Sequence, residues 1–437
     1  MSHAFIAHAE DQLDALLKLS EHLRKAGIPS SFVPHDEPDR SRSDRAINDA
    51  TFMIALVSYE AMKSKTVRAD IERARKNGLN ILPVRADRTR VGGFVKSELG
   101  KDLTLSTDDM AGVIEAAKKA YRAGCPVVAV MNMKGGVGKT TVTAQLAGAL
   151  QKASGNRVLL IDLDPQYNLS QLFFPAGDAD EAAAKDASVI SLFEKSKLHE
   201  PARTSPADRW GQLYLEPFTP APREAISHSL IKNDQTRGRL DMIFGQFEIS
   251  KYAFSTDRDG LETVREHFLR TLDFYRGLYD LVILDTNPNA TFLTRCALQA
   301  ADRVLAPMHT DVYSLRGIKL LNRVITDQTD TDHRPELSVL FNSVERREQS
   351  DFEADTRNGA FNEQVGFDLS AKLMTAVLPR SRHFQVRVDE EEPPEKRLLT
   401  LHGRGGGLRH VRQALDTVAS ELQGVLKIKA ERVRTTA

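Results

Sequence analysis

Nine consecutive residues, 133–141 (MKGGVGKTT), bring together the side chains that bind and cleave phosphoanhydrides. Gly135, Gly136 and Gly138, with Val137 between them, let successive backbone N–H groups turn toward one anion. Lys139 supplies a point charge for β- and γ-phosphates, and Thr140 a hydroxyl for Mg²⁺. A helix opening at Thr140 and Thr141 adds its N-terminus, which favours phosphate. The pattern G-x-x-x-x-G-K-[ST] is met only in its second half, because Lys134 stands where its first glycine belongs. A glycine-rich turn with exposed lysines is the bland alternative. The order of strand VVAVM, glycines, Lys-Thr and helix favours the phosphate site.

Three carboxylates lie at the ends of apolar runs. Residues 158–170 (VLLIDLDPQYNLS) place Asp162 at the end of a strand and Asp164 two residues on, and residues 281–285 (LVILD) end in Asp285. A lone Asp ending an apolar strand is common in α/β proteins and gains meaning only beside the glycine loop. Asn342 ends the strand SVLFN; such an Asn is either a turn former or an amide aimed at a base edge.

These residues need strands that stop at one edge. Runs 52–57, 79–84, 127–131, 158–162, 281–285, 304–308 and 338–342 are β-branched or apolar on both faces, as expected of parallel strands covered by helices on two sides. Helical patterns separate them, and Leu13, Leu16, Leu17 and Leu23 share one stripe. Residues 177–186, rich in Ala and Asp, read as either a helix or a surface loop. Around 120–126 (AYRAGCP) a helix ends at a glycine and a new strand begins. The expected fold is therefore α/β: one unit over 1–123, and a larger doubly wound, mostly parallel unit over 124–437.

KGGVGKTT with its early lysine resembles the deviant Walker A motif of the ParA/MinD family of ATPases. The resemblance, which runs from about 126 to 426, implies a Mg²⁺-dependent ATP hydrolase working as a homodimer around two sandwiched nucleotides. Lys134 would then reach into the partner's site, as an arginine finger does. Residues 162–168 (DLDPQYN) resemble the family's DxDPQGN, which implies that Asp164 positions water and that Asp162 belongs to the Mg²⁺ shell. Tyr167 stands at the usual Gly. DLVILD resembles a Walker B strand, with Asp285 holding Mg²⁺ through water; the following Thr286-Asn287-Pro288 departs from Thr-Pro-Pro. Asn342 matches the family's adenine-reading asparagine, and residues 377–382 (VLPRSR) resemble the segment near the base.

Residues 3–11 (HAFIAHAED) open a strand that runs into a helix over 11–26. Then follow 28–33, a polar loop 35–43, the strand FMIALV with Ser58, a charged helix over 64–77 and the strand NILPV. This succession resembles a flavodoxin-like TIR (Toll/interleukin-1 receptor-like) domain over about 2–123. Catalytic members of that family cleave NAD⁺ with a glutamate six residues after a serine; counting from Ser64, the position is Asp70, one methylene shorter. Asp70 and Glu72 are read instead as a solvated helix face, making the unit an assembly module that associates with other copies and with a protein partner.

From Leu401 the tail carries seven Lys+Arg against Asp416, Glu421 and Glu431. Three uses are open: nonspecific DNA contact, a membrane-surface helix using Leu422, Val425, Leu426 and Ile428, or a solvated end. The membrane reading ranks last, because no bulky aromatic anchors it. Residues 402–407 (HGRGGG) lack a strand before them and read as a lead into the last helix.

The chain has 437 residues, with 60 Lys+Arg against 60 Asp+Glu. That balance excludes a globally basic nucleic-acid binder, while 41 % hydrophobic content excludes wholesale disorder. Two cysteines are no disulfide framework and suit a reducing, cytoplasmic setting. No signal-like start and no apolar run of ~18–20 residues is present.

Overall fold

The computed structural model describes residues 3–34, 40–87, 96, 103–194, 212–215, 218–232, 238–330, 333–345, 351–384, 393–399 and 406–428. The chain divides into two compact units, one of Met1–Cys125 with Asp273–Leu278, the other of Pro126–Leu272 with Tyr279–Ala437.

In the smaller unit, five parallel strands lie in the order β2-β1-β3-β4-β5. They are β1 (Ala4–Ala7), β2 (Ser30–Ser31), β3 (Phe52–Val57), β4 (Asn80–Arg85) and β5 (Leu105–Ser106). Every residue of β3 is buried, which is why its sequence has no polar alternation. Helix α1 (Leu13–Lys25) buries Leu16, Leu19 and Leu23 but leaves Leu13 and Leu17 half exposed. The stripe therefore turns one residue away from the expected set. The expected polar loop 35–43 is helical from Arg40, as α2 (Arg40–Asp49); residues 35–39 lie outside the described residues. Helix α3 (Lys65–Lys76) starts where Ser64 Oγ accepts the Val67 N–H at 3.3 Å, a cap worth about 1 kcal/mol. Helix α4 (Met110–Gly124) closes the unit.

Asp70 is not on a solvated face. Val67, Asp70, Ile71 and Ala74 form the buried i, i+3, i+4, i+7 stripe of α3, and Asp70 accepts a 2.7 Å hydrogen bond from Ser43 Oγ on α2. Glu72 is exposed and pairs with Lys76 at 2.8 Å, as expected for a solvated face.

The larger unit holds seven strands in the order β12-β11-β6-β10-β7-β9-β8, all parallel except the edge strand β8. These are β6 (Val127–Val130), β7 (Arg157–Asp162), β8 (His228–Lys232), β9 (Arg239–Ile243), β10 (Leu281–Asp285), β11 (Arg303–Met308) and β12 (Glu336–Phe341). Helices α5 (Lys139–Ser154), α6 (Asn168–Phe173), α7 (Phe292–Ala300), α8 (Val312–Gln328) and α9 (Gly406–Leu426) cover the sheet. The segment 177–186 resolves as helix over Ala176–Ala184. One core joins β6, β7, β9 and β10 with α5 and α9.

The antiparallel β8–β9 pair has no counterpart among the expected strands. Arg239 and Asp241 interrupt its apolar pattern, yet Asp241 is fully buried with Tyr279 Oη donating to it at 2.7 Å and Arg239 Nε at 2.6 Å.

The tail is committed to the core. Leu422 is buried, Leu426 and Ile428 pack against the same cluster, and only Val425 is exposed, so the apolar face proposed for lipid is already occupied. Arg404, Lys429, Glu431, Arg432, Arg434 and residues 402–405 lie outside the described residues. Among the described residues no helix is long and apolar enough to cross a membrane.

Candidate nucleotide-phosphate site

β6 ends the sheet's central run, and the chain leaves it through the glycine loop into α5. Gly136 and Gly138 have φ of +75° and +85°, a region that side chains other than glycine's enter at a cost. A Cβ at Gly138 would sit 2.5 Å from Asn342 Nδ2. The loop thus depends on glycine for conformation and for space. Asn342, 8 % exposed at the end of β12, donates from Nδ2 to the Val137 carbonyl at 2.8 Å. The strand-end asparagine therefore clamps the phosphate loop from a distance of 205 residues. Residues 377–382 run beside the same corner, with Leu378 N bonded to Phe341 O and Val344 N to Leu378 O.

Lys139 is the first residue of α5 and 8 % exposed. Burial lowers its pKa, while the carboxylates of Asp285 and Asp164 oppose that drop. Asp285 and Asp162 are register partners at the C-terminal ends of adjacent strands β10 and β7. Thr140 Oγ1 donates to one Asp285 oxygen at 2.8 Å, and Thr143 Oγ1 to the other at 2.9 Å. Asp162 accepts from the Ser170 N–H at 2.9 Å, the Ser170 hydroxyl at 2.8 Å and the Asp164 N–H at 3.2 Å. Asp164 caps its own turn by accepting the Gln166 N–H at 3.0 Å. All the expected carboxylates converge on one edge of the sheet.

Burial, then the neighbouring Asp285, pushes Asp162 up to about 8, against the Ser170 hydrogen bonds. Burial likewise raises Asp285 to about 6, against Thr140 and Thr143. An acid with a raised folded pKa keeps a proton that the unfolded chain has released. Without nucleotide, this pair therefore costs stability progressively as pH rises from about 4 to about 8. Asp162→Asn removes the larger part of that cost. Its thermal midpoint should decline less between pH 5 and pH 8 than that of the parent; parallel declines would count against the assignment.

Tyr167 adopts φ +42°, ψ +39° at the start of α6, costing roughly 1–2 kcal/mol for a side chain with a Cβ. Opposite it, a Cβ on Gly245 would meet Tyr167 Cβ at 2.7 Å and Asp162 Cγ at 2.9 Å. Thr286 Oγ1 donates to the Val130 carbonyl at 2.9 Å, and Asn287 Oδ1 accepts the Asn289 N–H.

Lys134 lies in the same loop, but its ammonium turns within its own chain. Nζ is 3.0 Å from both oxygens of Asp311 and from Ser314 Oγ, at the start of α8. Against the opposing effect of burial, Lys134 and the Ser314 donors hold Asp311 below the usual carboxylate range. Asp311, Ser314, Thr143 and Ser170 were not among the expected site residues. Asn132 was missed too; fully buried, it donates to Pro307 O at 2.7 Å and accepts the Lys134 N–H at 2.9 Å. The MNMKGG run that precedes the motif was its only sequence signal.

A glycine loop leading from a central parallel strand into a helix, with Lys-Thr and strand-end aspartates, defines a P-loop nucleotide-binding unit. The family model described as AAA domain matches residues 125–339. The chromosome partitioning protein ParA of Caulobacter vibrioides is 29 % identical over 271 residues, 60 % of this chain and 82 % of that protein. The sporulation initiation inhibitor protein Soj of Bacillus subtilis is 27 % identical over 289 residues, 64 % of this chain and 93 % of that one. The solved structure of pNOB8 ParA aligns with a TM-score of 0.48 at 21 % identity, over 69 % of this chain and 99 % of that one. From residue 125 onward the chain is thus similar in sequence to partitioning proteins of the ParA kind.

Proposed function

We propose that the protein is a Mg²⁺-dependent, ATP-hydrolysing switch of ParA/MinD type. Its ATP-bound state is a homodimer, and the switch governs residues 1–123 as a TIR-like assembly module. The observation that carries the reading is the convergence of Lys139, Thr140, Asp285, Asp162 and Asp164 on the mouth of the positive-φ loop.

Loop N–H groups and Lys139 bind the β- and γ-phosphates. Thr140 and Asp285 would hold Mg²⁺, with Asp162 behind them, and Asp164 would orient the attacking water. The bound Mg²⁺ supplies charge neutralisation of the phosphates. Among the described residues no cluster of three or more His, Cys, Asp or Glu could cage a metal alone, and a Mg²⁺ shared with phosphates and water needs none. Asn342 keeps its carbonyl for adenine while Nδ2 holds the loop.

The test is incubation with ATP/Mg²⁺ and with NAD⁺, following phosphate, nicotinamide and molecular mass together. Phosphate release with an ATP-dependent doubling of mass is expected; neither appearing would sink the reading.

A second reading makes the smaller unit an NAD-cleaving enzyme. It is favoured by a cavity of about 660 Å³ at the C-terminal ends of β1 and β3, lined by Glu10, Asp11, Glu60, Lys63, Ser64 and Lys65. Asp70 is spent on Ser43, so the carboxylate counted from Ser64 is not the one that favours it. Nicotinamide release in the same experiment decides it.

Nonspecific DNA, in a partitioning or positioning role like that named for the Caulobacter relative, is the remaining alternative. Arg316, Lys319 and Arg323 lie on the exposed side of α8, where Lys319 Nζ donates to Gln364 O at 2.8 Å and Arg323 pairs with Asp327 at 3.5 Å; in the tail, Arg409 is exposed and Arg412 Nε is spent on Leu399 O.

A further inference from the structure

Two helices each grip one of the paired carboxylates: α5 holds Asp285 through Thr140 and Thr143, and α6 holds Asp162 through Ser170. Both are fastened to the same stretch of chain, more than 220 residues further on. Gln145, fully buried on α5, donates from Nε2 to Arg397 O at 2.9 Å and accepts the Leu399 N–H at 2.8 Å. Arg397, 5 % exposed, donates from Nη1 to the carbonyls of Leu172 and Phe173, at the C-terminal end of α6. A cation there complements the helix dipole. Leu398 between them is fully buried, and Arg412 Nε on α9 holds Leu399 O at 2.5 Å.

We infer that residues 393–399 are a strap that fixes α5 and α6 to each other, with Gln145 and Arg397 as positioning residues that set the spacing of Asp285 and Asp162. The inference rests on the ATPase reading for its kinetic consequence, but not for its structural one. Each acts through a helix: Gln145 through α5, on which it sits, and Arg397 through the C-terminal carbonyls of α6. The wide sequence separation means that the strap closes only when the fold is complete, so a nucleotide site assembled without it keeps its loop but not the alignment of its acids.

The test uses the full chain with Gln145→Leu, Arg397→Met and Arg397→Lys, beside the parent. Gln145→Leu is the sharper variant, because Gln145 is on α5 and makes no hydrogen bond to α6. Deuterium uptake at Asn168–Phe173 is expected to rise about tenfold in Gln145→Leu and in Arg397→Met, and less in Arg397→Lys, which keeps the cation. The same two variants should lose about tenfold in kcat while affinity for a fluorescent ATP analogue in EDTA changes less than about threefold. The Mg²⁺ concentration that half-strengthens analogue binding should rise by about fivefold.

Unchanged α6 exchange in folded Gln145→Leu overturns the strap. So does loss of kcat, analogue affinity and thermal stability in one proportion, which marks general destabilisation. If the parent itself turns over no ATP, the ATPase reading fails alone; the exchange at α6 still decides whether the strap exists.

Discussion

Lys139→Ala is expected to reduce ATP turnover at least about a hundredfold, the scale of removing a preorganised charge from a phosphoryl-transfer site. Lys139 is 8 % exposed at the start of α5, with the carboxylates of Asp285 and Asp164 as its charged neighbours. Partial burial removes the water that screens it, so its attraction to a triphosphate is stronger than at a surface. The variant should fold: the side chain's loss removes one buried charge whose desolvation the site otherwise has to offset. Phosphate release and analogue binding are both expected to fall. Intact turnover with native-like folding would remove Lys139 from the mechanism and the P-loop reading with it.

Lys134→Ala should behave differently. Its nucleotide affinity is expected to stay within about threefold of the parent while turnover falls by about a hundredfold or more, as for loss of a finger residue. In a single chain Lys134 is tied to buried Ser314 and to Asp311, and its ion pair with Asp311, about a third exposed on both sides, is worth no more than about 1 kcal/mol. That hold is weak enough for a partner's nucleotide to replace. Asp311→Ala therefore gives the opposite sign, lowering the protein concentration for half-maximal turnover by up to about fivefold. Turnover measured against protein concentration separates the two variants. A Lys134→Ala protein with full activity would mean that the lysine never leaves Asp311.

Much of the fold could be read from the chain. The strands β3, β6, β7, β10, β11 and β12 announce themselves because burial on both faces forbids polar alternation. The glycine loop and the three aspartates were legible because local order fixes them: strand, turn, helix. The β8–β9 hairpin was not, since Asp241 and Arg239 are tolerated inside only by partners such as Tyr279, 38 residues away from Asp241. Asp70 was misplaced for a related reason. Its spacing from Val67, Ile71 and Ala74 puts it on the buried stripe, and nothing local says that α2 supplies Ser43 to satisfy it. Asp311, Ser170 and Arg397 share that character: each is an ordinary polar residue until the fold delivers its partner.

Tyr167 and Gly245 carry a consequence for how this loop can change over time. The resemblance to DxDPQGN puts a glycine at 167, and here a tyrosine holds that left-handed turn while the glycine lies 78 positions later, against its β-carbon. The space left by Gly245 lies against the β-carbon of Tyr167. Any β-carbon added at 245 runs into Tyr167 and Asp162 together, so positions 167 and 245 are sterically coupled. A lineage leaving this arrangement has to restore glycine at 167 before 245 is released, and even then Asp162 must yield about half an ångström to reach ordinary contact. The order of substitutions is thereby written into the geometry.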